Sequence, residues 1–173
     1  AGYNGWRHND NPFIIKPKKD GIFNMSQIEY QHKGGHYFAG AALHTRHYPI
    51  DDEGEMATSN DATNNTTCAW WIYGEQNLWT AGDKSIAAML QYSENTSRSN
   101  GCYRFAEVGG AYKDSKNECG VSAQYAQFHQ GIERTLELTW KRQITESIAL
   151  QPYFQYINNK NGDFTVLSAR LYY

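Results

Sequence analysis

Charged and aromatic side chains recur at every second position along several segments of this chain. In Ile132–Ile144, Glu133, Glu137 and Lys141 share a phase with Thr135 and Thr139, while Ile132, Leu136, Leu138 and Trp140 take the other. The same reading puts Glu29, His44, Arg46, Glu75, Glu107 and Arg170 in the polar phase of their own segments, with Trp71, Tyr73 and Tyr153 beside them. The chemistry expected of that face is reversible binding. Carboxylates and guanidinium groups exchange hydrogen bonds with hydroxyl-rich solutes. Mixed charges along a wet path set a local field, and a flat ring with a polar tip suits the apolar face of a sugar. The alternative is that the charges pair with one another and brace the wall that carries them.

Other constellations point less clearly to chemistry. His44 and His47 lie three apart, a spacing that sends them to opposite faces of a strand, so no metal site is expected there. Asp51, Asp52, Glu53 and Glu55 crowd one loop, but without the order of a calcium-binding loop. Cys68 and Cys102 fall near the same rim and could form one disulfide, with Cys119 at the opposite end; three unpaired thiols are the alternative. The chain contains no GxSxG, HExxH or glycine-rich phosphate loop. The expectation is therefore that it is not an enzyme and needs no cofactor. A lipase-like use of His44 with Ser26 is the weak exception.

The elements that hold these residues read as strands. Period-two segments bounded by turn residues cover Ile22–His32, His36–Tyr48, Thr67–Thr80, Ser85–Ser93, Tyr103–Lys113, Gly120–Phe128, Ile132–Ile144, Ser147–Asn158 and Phe164–Tyr173. Several exceed the ~5–6 residues usual in soluble sheets and match the ~9–11 residues that a tilted strand needs to cross a membrane. The alternation is imperfect in Ile22–His32 and Thr67–Thr80, and Pro152 falls inside a strand. The net charge of -2 over 173 residues argues against a nucleic-acid partner. Aromatic residues make up 14% of a chain whose mean hydropathy is only -0.74, a content too high for a disordered chain.

The links sort into two sets. Lys33–Gly35, Ala81–Lys84, Asp114–Cys119 and Thr145–Glu146 fall at one end. Pro49–Thr66, Asn95–Cys102, His129–Gly131 and Asn159–Asp163 fall at the other, and this set holds the two longest links. Bacterial barrels have short periplasmic turns and longer external loops. The fold expected is all-β, an antiparallel transmembrane β-barrel with nine or ten strands in residues 1–173. Residues 1–20 form an irregular segment or an extra strand, and residues 49–66 a long external loop. Tyr37, Trp140, Tyr156, Tyr172 and Tyr173 lie near strand ends and are expected to sit as an interfacial girdle. The competing architecture is a soluble lectin-like β-sandwich that buries the same apolar faces against a second sheet. A small structural barrel without a pore is a third.

The last forty residues carry Leu150-Gln151-Pro152-Tyr153-Phe154-Gln155-Tyr156-Ile157-Asn158 before a closing strand with a terminal aromatic. They resemble the C-terminus of the carbohydrate-selective outer-membrane porins (OprB-like). Tyr153 stands where that family usually has Asp, and Asn159-Lys160 replaces its usual Pro-Gly. Ile72–Trp79 and Asp20–Gln31 are similar to weaker family blocks. The resemblance implies a passive channel for carbohydrates or other small polar solutes in the bacterial outer membrane. It also implies that the nine strands are the C-terminal part of a barrel of about sixteen or more, since single-chain bacterial barrels carry even strand numbers. The partners expected are the lipid bilayer with lipopolysaccharide, small sugar solutes, the outer-membrane assembly machinery that reads a terminal aromatic such as Tyr173, and further copies if the protein is a homo-oligomer.

Overall fold

A computed structural model describes residues 21–45, 67–95, 102–128 and 130–173. Arg46, His47, the loop acids 51–55 and the segments 1–20 and 49–66 lie outside the described residues. Nine strands form: β1 (Phe23–His32), β2 (Gly35–His44), β3 (Thr67–Ala81), β4 (Lys84–Asn95), β5 (Cys102–Lys113), β6 (Asn117–Phe128), β7 (Gly131–Gln143), β8 (Ala149–Asn159) and β9 (Gly162–Tyr172). Each of the nine expected segments has become one strand. They pair in sequence order, every neighbour antiparallel, into a single sheet. Among the described residues the sheet is not closed, because β1 and β9 each pair with one neighbour.

The local chemistry explains the hairpins. Lys33 and Gly34 both take positive φ, 44° and 77°, the combination that a two-residue turn needs to match the twist of its strands. Between β5 and β6, the Asp114 carboxylate accepts from the backbone N–H groups of Lys116 (2.9 Å) and Asn117 (2.8 Å) and from Asn117 Nδ2 (3.0 Å). A single extra residue, Leu78, interrupts the β3–β4 ladder between Asn77 and Trp79. This bulge accounts for the imperfect alternation of β3. Pro152 stands where the β7–β8 ladder passes directly from Thr139↔Tyr153 to Arg142↔Leu150, which fits a residue that supplies no N–H.

Following the partners straight across the sheet gives the row Tyr30, Tyr37, Gly74, Leu90, Val108, Ala123, Leu136, Tyr156 and Thr165. The row begins two residues from the turn end of β1 (His32) and finishes three residues from the loop end of β9 (Gly162). The strands are therefore staggered, as tilted barrel strands must be.

The sheet has no ordinary core. Among the described residues the one buried apolar side chain is Ala149, at 3% exposure, while Leu136, Leu138 and Trp140 are exposed. In β7 the apolar residues are exposed and the alternate polar ones are half-buried, the reverse of a soluble strand. No second sheet covers the apolar face among the described residues, so the sandwich expectation is corrected: that fold requires two packed sheets.

The Asp114 turn generates a pH prediction. Its hydrogen bonds, first from Lys116 and then from Asn117, hold the carboxyl below its ordinary value. A lowered folded value contributes stability above the unfolded one, near pH 4, that is lost as pH falls through the folded value. The urea midpoint of Asp114→Ala should lie below that of the parent at neutral pH and converge on it at about pH 2.

Candidate functional site

The ladders assign every strand residue to one of two faces. On the apolar face, Trp70, Tyr92, Tyr125 and Tyr156 stand three residues inside the loop-end residues Thr67, Asn95, Phe128 and Asn159. Trp70 and Tyr92 touch, with ring centroids 5.1 Å apart. Near the turn ends of the same face stand Tyr30, Tyr37, Trp79, Tyr112 and Trp140. Charged residues on this face keep to the rims: Glu94, Arg104, Arg134 and Asp163 at the loop end, Lys84 and Arg142 at the turn end. Between the two aromatic rows lie Ala39, Ala41, Ile72, Leu90, Val108, Ala123, Leu138 and Leu167, with no charge among the described residues. On β3 the rows are marked by Trp70 and Trp79. Eight or nine residues of strand reach roughly 28 Å, or about 21 Å in height at a barrel tilt near 40°. An outer-membrane barrel presents an apolar band about 25 Å tall between two aromatic girdles.

The opposite face holds the polar residues singled out from sequence. Glu29, His44, Trp71, Tyr73, Glu75, Glu107, Glu133, Glu137, Lys141, Tyr153 and Arg170 all share it. Arg46 lies outside the described residues. On β1–β3 aromatic side chains crowd this face. Trp71 donates from Nε1 to Gln27 Oε1 (3.1 Å), reaching across β2 above Gly40. A Cβ at Gly40 would come within 2.3 Å of the indole, so only glycine leaves room for that ring. Phe38 and Tyr73 stack at 4.7 Å, and His36 closes the row at 5.7 Å from Phe38. These rings are edged by acids: Tyr73 Oη donates to Glu75 (2.7 Å), and Glu29 meets His36 (2.5 Å) and Gln31 (3.2 Å).

Further along the sheet the carboxylates accept from amides of the next strand. Gln124 donates to Glu107 (3.1 Å), Gln155 to Glu137 (2.5 Å) and Asn159 to Glu133 (3.2 Å). Glu107, Glu133 and Glu137 are thus held by amides, while Glu29 pairs with His36 across β1–β2. Among the described residues the one Arg–carboxylate pair, Arg104–Glu94 at 3.0 Å, lies on the apolar face. Lys141 instead sits 4.6 Å above the Tyr172 ring. Between Glu75 and Glu137, small residues such as Ala87, Gly109, Ala111 and Gly120 leave an open trough of about 290 Å³.

Two placements differ from expectation. Tyr172 belongs to the polar face, opposite Ala149, and donates to Gln151 (2.6 Å), so it is not part of an outward girdle. Its even number puts it in phase with Arg170. Tyr37, Trp140 and Tyr156 do stand on the apolar face, and Tyr173 follows β9 fully exposed. The Cys68–Cys102 disulfide is not formed. β4 separates the two strands, and two strand spacings of about 4.8 Å exceed the Cα reach of a disulfide. Cys102 Sγ points instead to Arg104 O at 3.4 Å. Sequence reading passed over Gln27, His36, Phe38, Gly40, Gln124 and Asn159. The available signal was their phase, carried across from each neighbouring strand.

No family model matches the chain, and no curated protein does. Two solved structures are similar in fold. One is the outer-membrane expressed OmpT of Vibrio cholerae, at 13% identity and a TM-score of 0.51, covering 91% of this chain and 59% of that one. The other is its loop L8 deletion mutant, at 12% identity and a TM-score of 0.51, covering 91% and 56%. The chain thus spans little more than half the length of either. The fold is that of part of an outer-membrane β-barrel, and the likeness points to that membrane. It also corrects the expectation that the chain is not an enzyme. That expectation rested on missing linear motifs, whereas this wall brings side chains of separate strands together, as Trp71 and Gln27, which no linear motif reports. Fold likeness leaves activity open.

Two substitutions test the faces. Leu138→Arg, midway along β7 on the apolar face, should cost about 2–4 kcal/mol of folding free energy into lipid vesicles, whereas Thr139→Arg on the polar face should cost well under ~1. Gly40→Val should cost about 1–3 kcal/mol by displacing the indole, and Trp71→Ala in the same chain should recover most of that loss in a double-mutant cycle.

Proposed function

We propose that this chain forms part of the wall of an outer-membrane porin, a passive diffusion channel for carbohydrates or other small polar solutes. One observation carries the reading: a charge-free apolar band between two aromatic rows backs a face of carboxylates, amides and rings. An apolar face with nothing packed on it needs lipid as its solvent, and the reverse face then lines a wet lumen. The rings of Trp71, Phe38 and Tyr73 offer flat apolar surface edged by acceptors, which suits a sugar ring. These features support the carbohydrate-selective resemblance of the C-terminal residues, which no family model supports.

The described strands do not by themselves close a pore. Open sheet edges do not occur within hydrocarbon, so β1 and β9 require further strands. Nine strands across 59% of OmpT correspond in proportion to a barrel of about fifteen or sixteen, and barrels of that size hold an aqueous channel. The short turns between β1 and β2, β3 and β4, β5 and β6, and β7 and β8 face the periplasm, and the opposite strand ends face outward.

Liposome swelling is the direct test. Protein from its natural membrane, with a heat-dependent gel shift to show that it is folded, should admit monosaccharides and disaccharides faster than protein-free liposomes do. Trp71→Ala should slow disaccharides more than monosaccharides. Folded protein that swells liposomes no faster than the blank would overturn the porin reading.

A further inference from the structure

The apolar face is not flat. Across β5–β8 the small side chains Ala106 and Ala123 lie between Val108, Leu136, Tyr125 and Tyr156 and leave a groove of about 620 Å³. Register explains the shape. Ala123 is opposite Val108 on one side and Leu136 on the other, while Ala106 is opposite Tyr125. The two alanines therefore form a floor, and larger residues on neighbouring strands form its sides.

Arg134 stands at the loop-end mouth of this groove, opposite Tyr125 on β6 and Asn158 on β8. Among the described residues it has no carboxylate partner. The other loop-end arginine of this face, Arg104, is paired with Glu94. Asp163, the nearby acid opposite Asn158, is engaged by Asn158 Nδ2 at 2.6 Å. Arg134 thus combines a position at the membrane boundary, an aromatic flank and an uncompensated charge. A guanidinium there can lay its stem along the wall and turn its head to the interface.

We propose that this groove holds one acyl chain of lipopolysaccharide, with a phosphate of the lipid headgroup on Arg134. The inference rests on the membrane reading above, with the loop end facing outward. Guanidinium matches phosphate in a planar two-point contact, and an unpaired one at the rim lacks that acceptor until a lipid supplies it. The apolar groove below removes the chain's CH₂ groups from competing solvent and fixes its direction along the tilted strands. Charge and shape together select a phosphorylated, acylated lipid of the external leaflet over a neutral one.

The test uses the full chain, folded in neutral detergent, with bisphosphorylated lipid A titrated and binding read by native mass spectrometry. One lipid A per chain should be retained. Arg134→Ala and Ala123→Leu should each weaken retention by about tenfold, and so should removal of both phosphates from the lipid, which leaves the protein untouched. Phosphatidylglycerol should bind at least about tenfold more weakly than lipid A. Equal retention of the dephosphorylated lipid, of phosphatidylglycerol, or by both folded variants overturns the site and leaves only ordinary annular lipid. These outcomes are separate from failure of the porin reading, which appears as wild-type protein that needs no detergent or does not swell liposomes.

Discussion

The register of backbone hydrogen bonds between neighbouring strands is the constraint on which this wall depends. Side chains alternate with a period of two, so a slip of one residue would move a whole strand's apolar set to the other face. Eight consecutive ladders keep one phase from β1 to β9. The bulge at Leu78 protects it. One extra residue is looped out, and Trp79 returns to the apolar face opposite Ile86. The ladders do a second job. They satisfy the N–H and C=O groups that hydrocarbon could not satisfy. Both the two-sided chemistry and the fitness for lipid follow from that one pattern.

With the apolar face turned outward, stability cannot come from a packed interior. The polar face is instead organised by local fits. Gly40 clears space for Trp71, which then ties β3 to β1 over the top of β2. Glu107, Glu133 and Glu137 are each held by an amide from the adjacent strand. An amide orients a carboxylate without cancelling its charge, so the wall keeps a negative field where a salt bridge would have quenched it. The bases of this face, Lys113, Lys141 and Arg170, collect near the turn ends. Glu29 and Glu118 share those ends, Glu118 opposite both Lys113 and Lys141, so both signs of charge meet there.

The aromatics divide by face and so by task. Trp70 and Trp71 are adjacent in sequence, yet one contacts Tyr92 in the loop-end row of the apolar face and the other binds Gln27 on the polar face. Proximity to a strand end does not assign a ring to the interface. Tyr172 is near an end and still points inward to Gln151 and Lys141. Phase decides face, and only then does height along the strand decide whether a ring lies at a membrane boundary.

Much of this was legible in the sequence. Period-two patterning is a property of each strand alone, so nine strands and the polar face of ten polar or aromatic positions from His44 to Arg170 could be read before any pairing was known. Glu133, Glu137 and Lys141 on β7 are the plainest case. What the sequence could not contain was the offset of each strand against its neighbour. Trp71 and Gln27 are 44 residues apart, and Asn159 and Glu133 are 26 apart. No spacing within either segment specifies those meetings. The unmade Cys68–Cys102 bond shows the same limit, since nearness to one rim says nothing of the intervening strand. The alternation of residues determined which face each side chain takes. Only the tertiary structure, through register and stagger, decided which residues stand together on it, because those depend on turn lengths, the Leu78 bulge and pairings between segments distant in the chain.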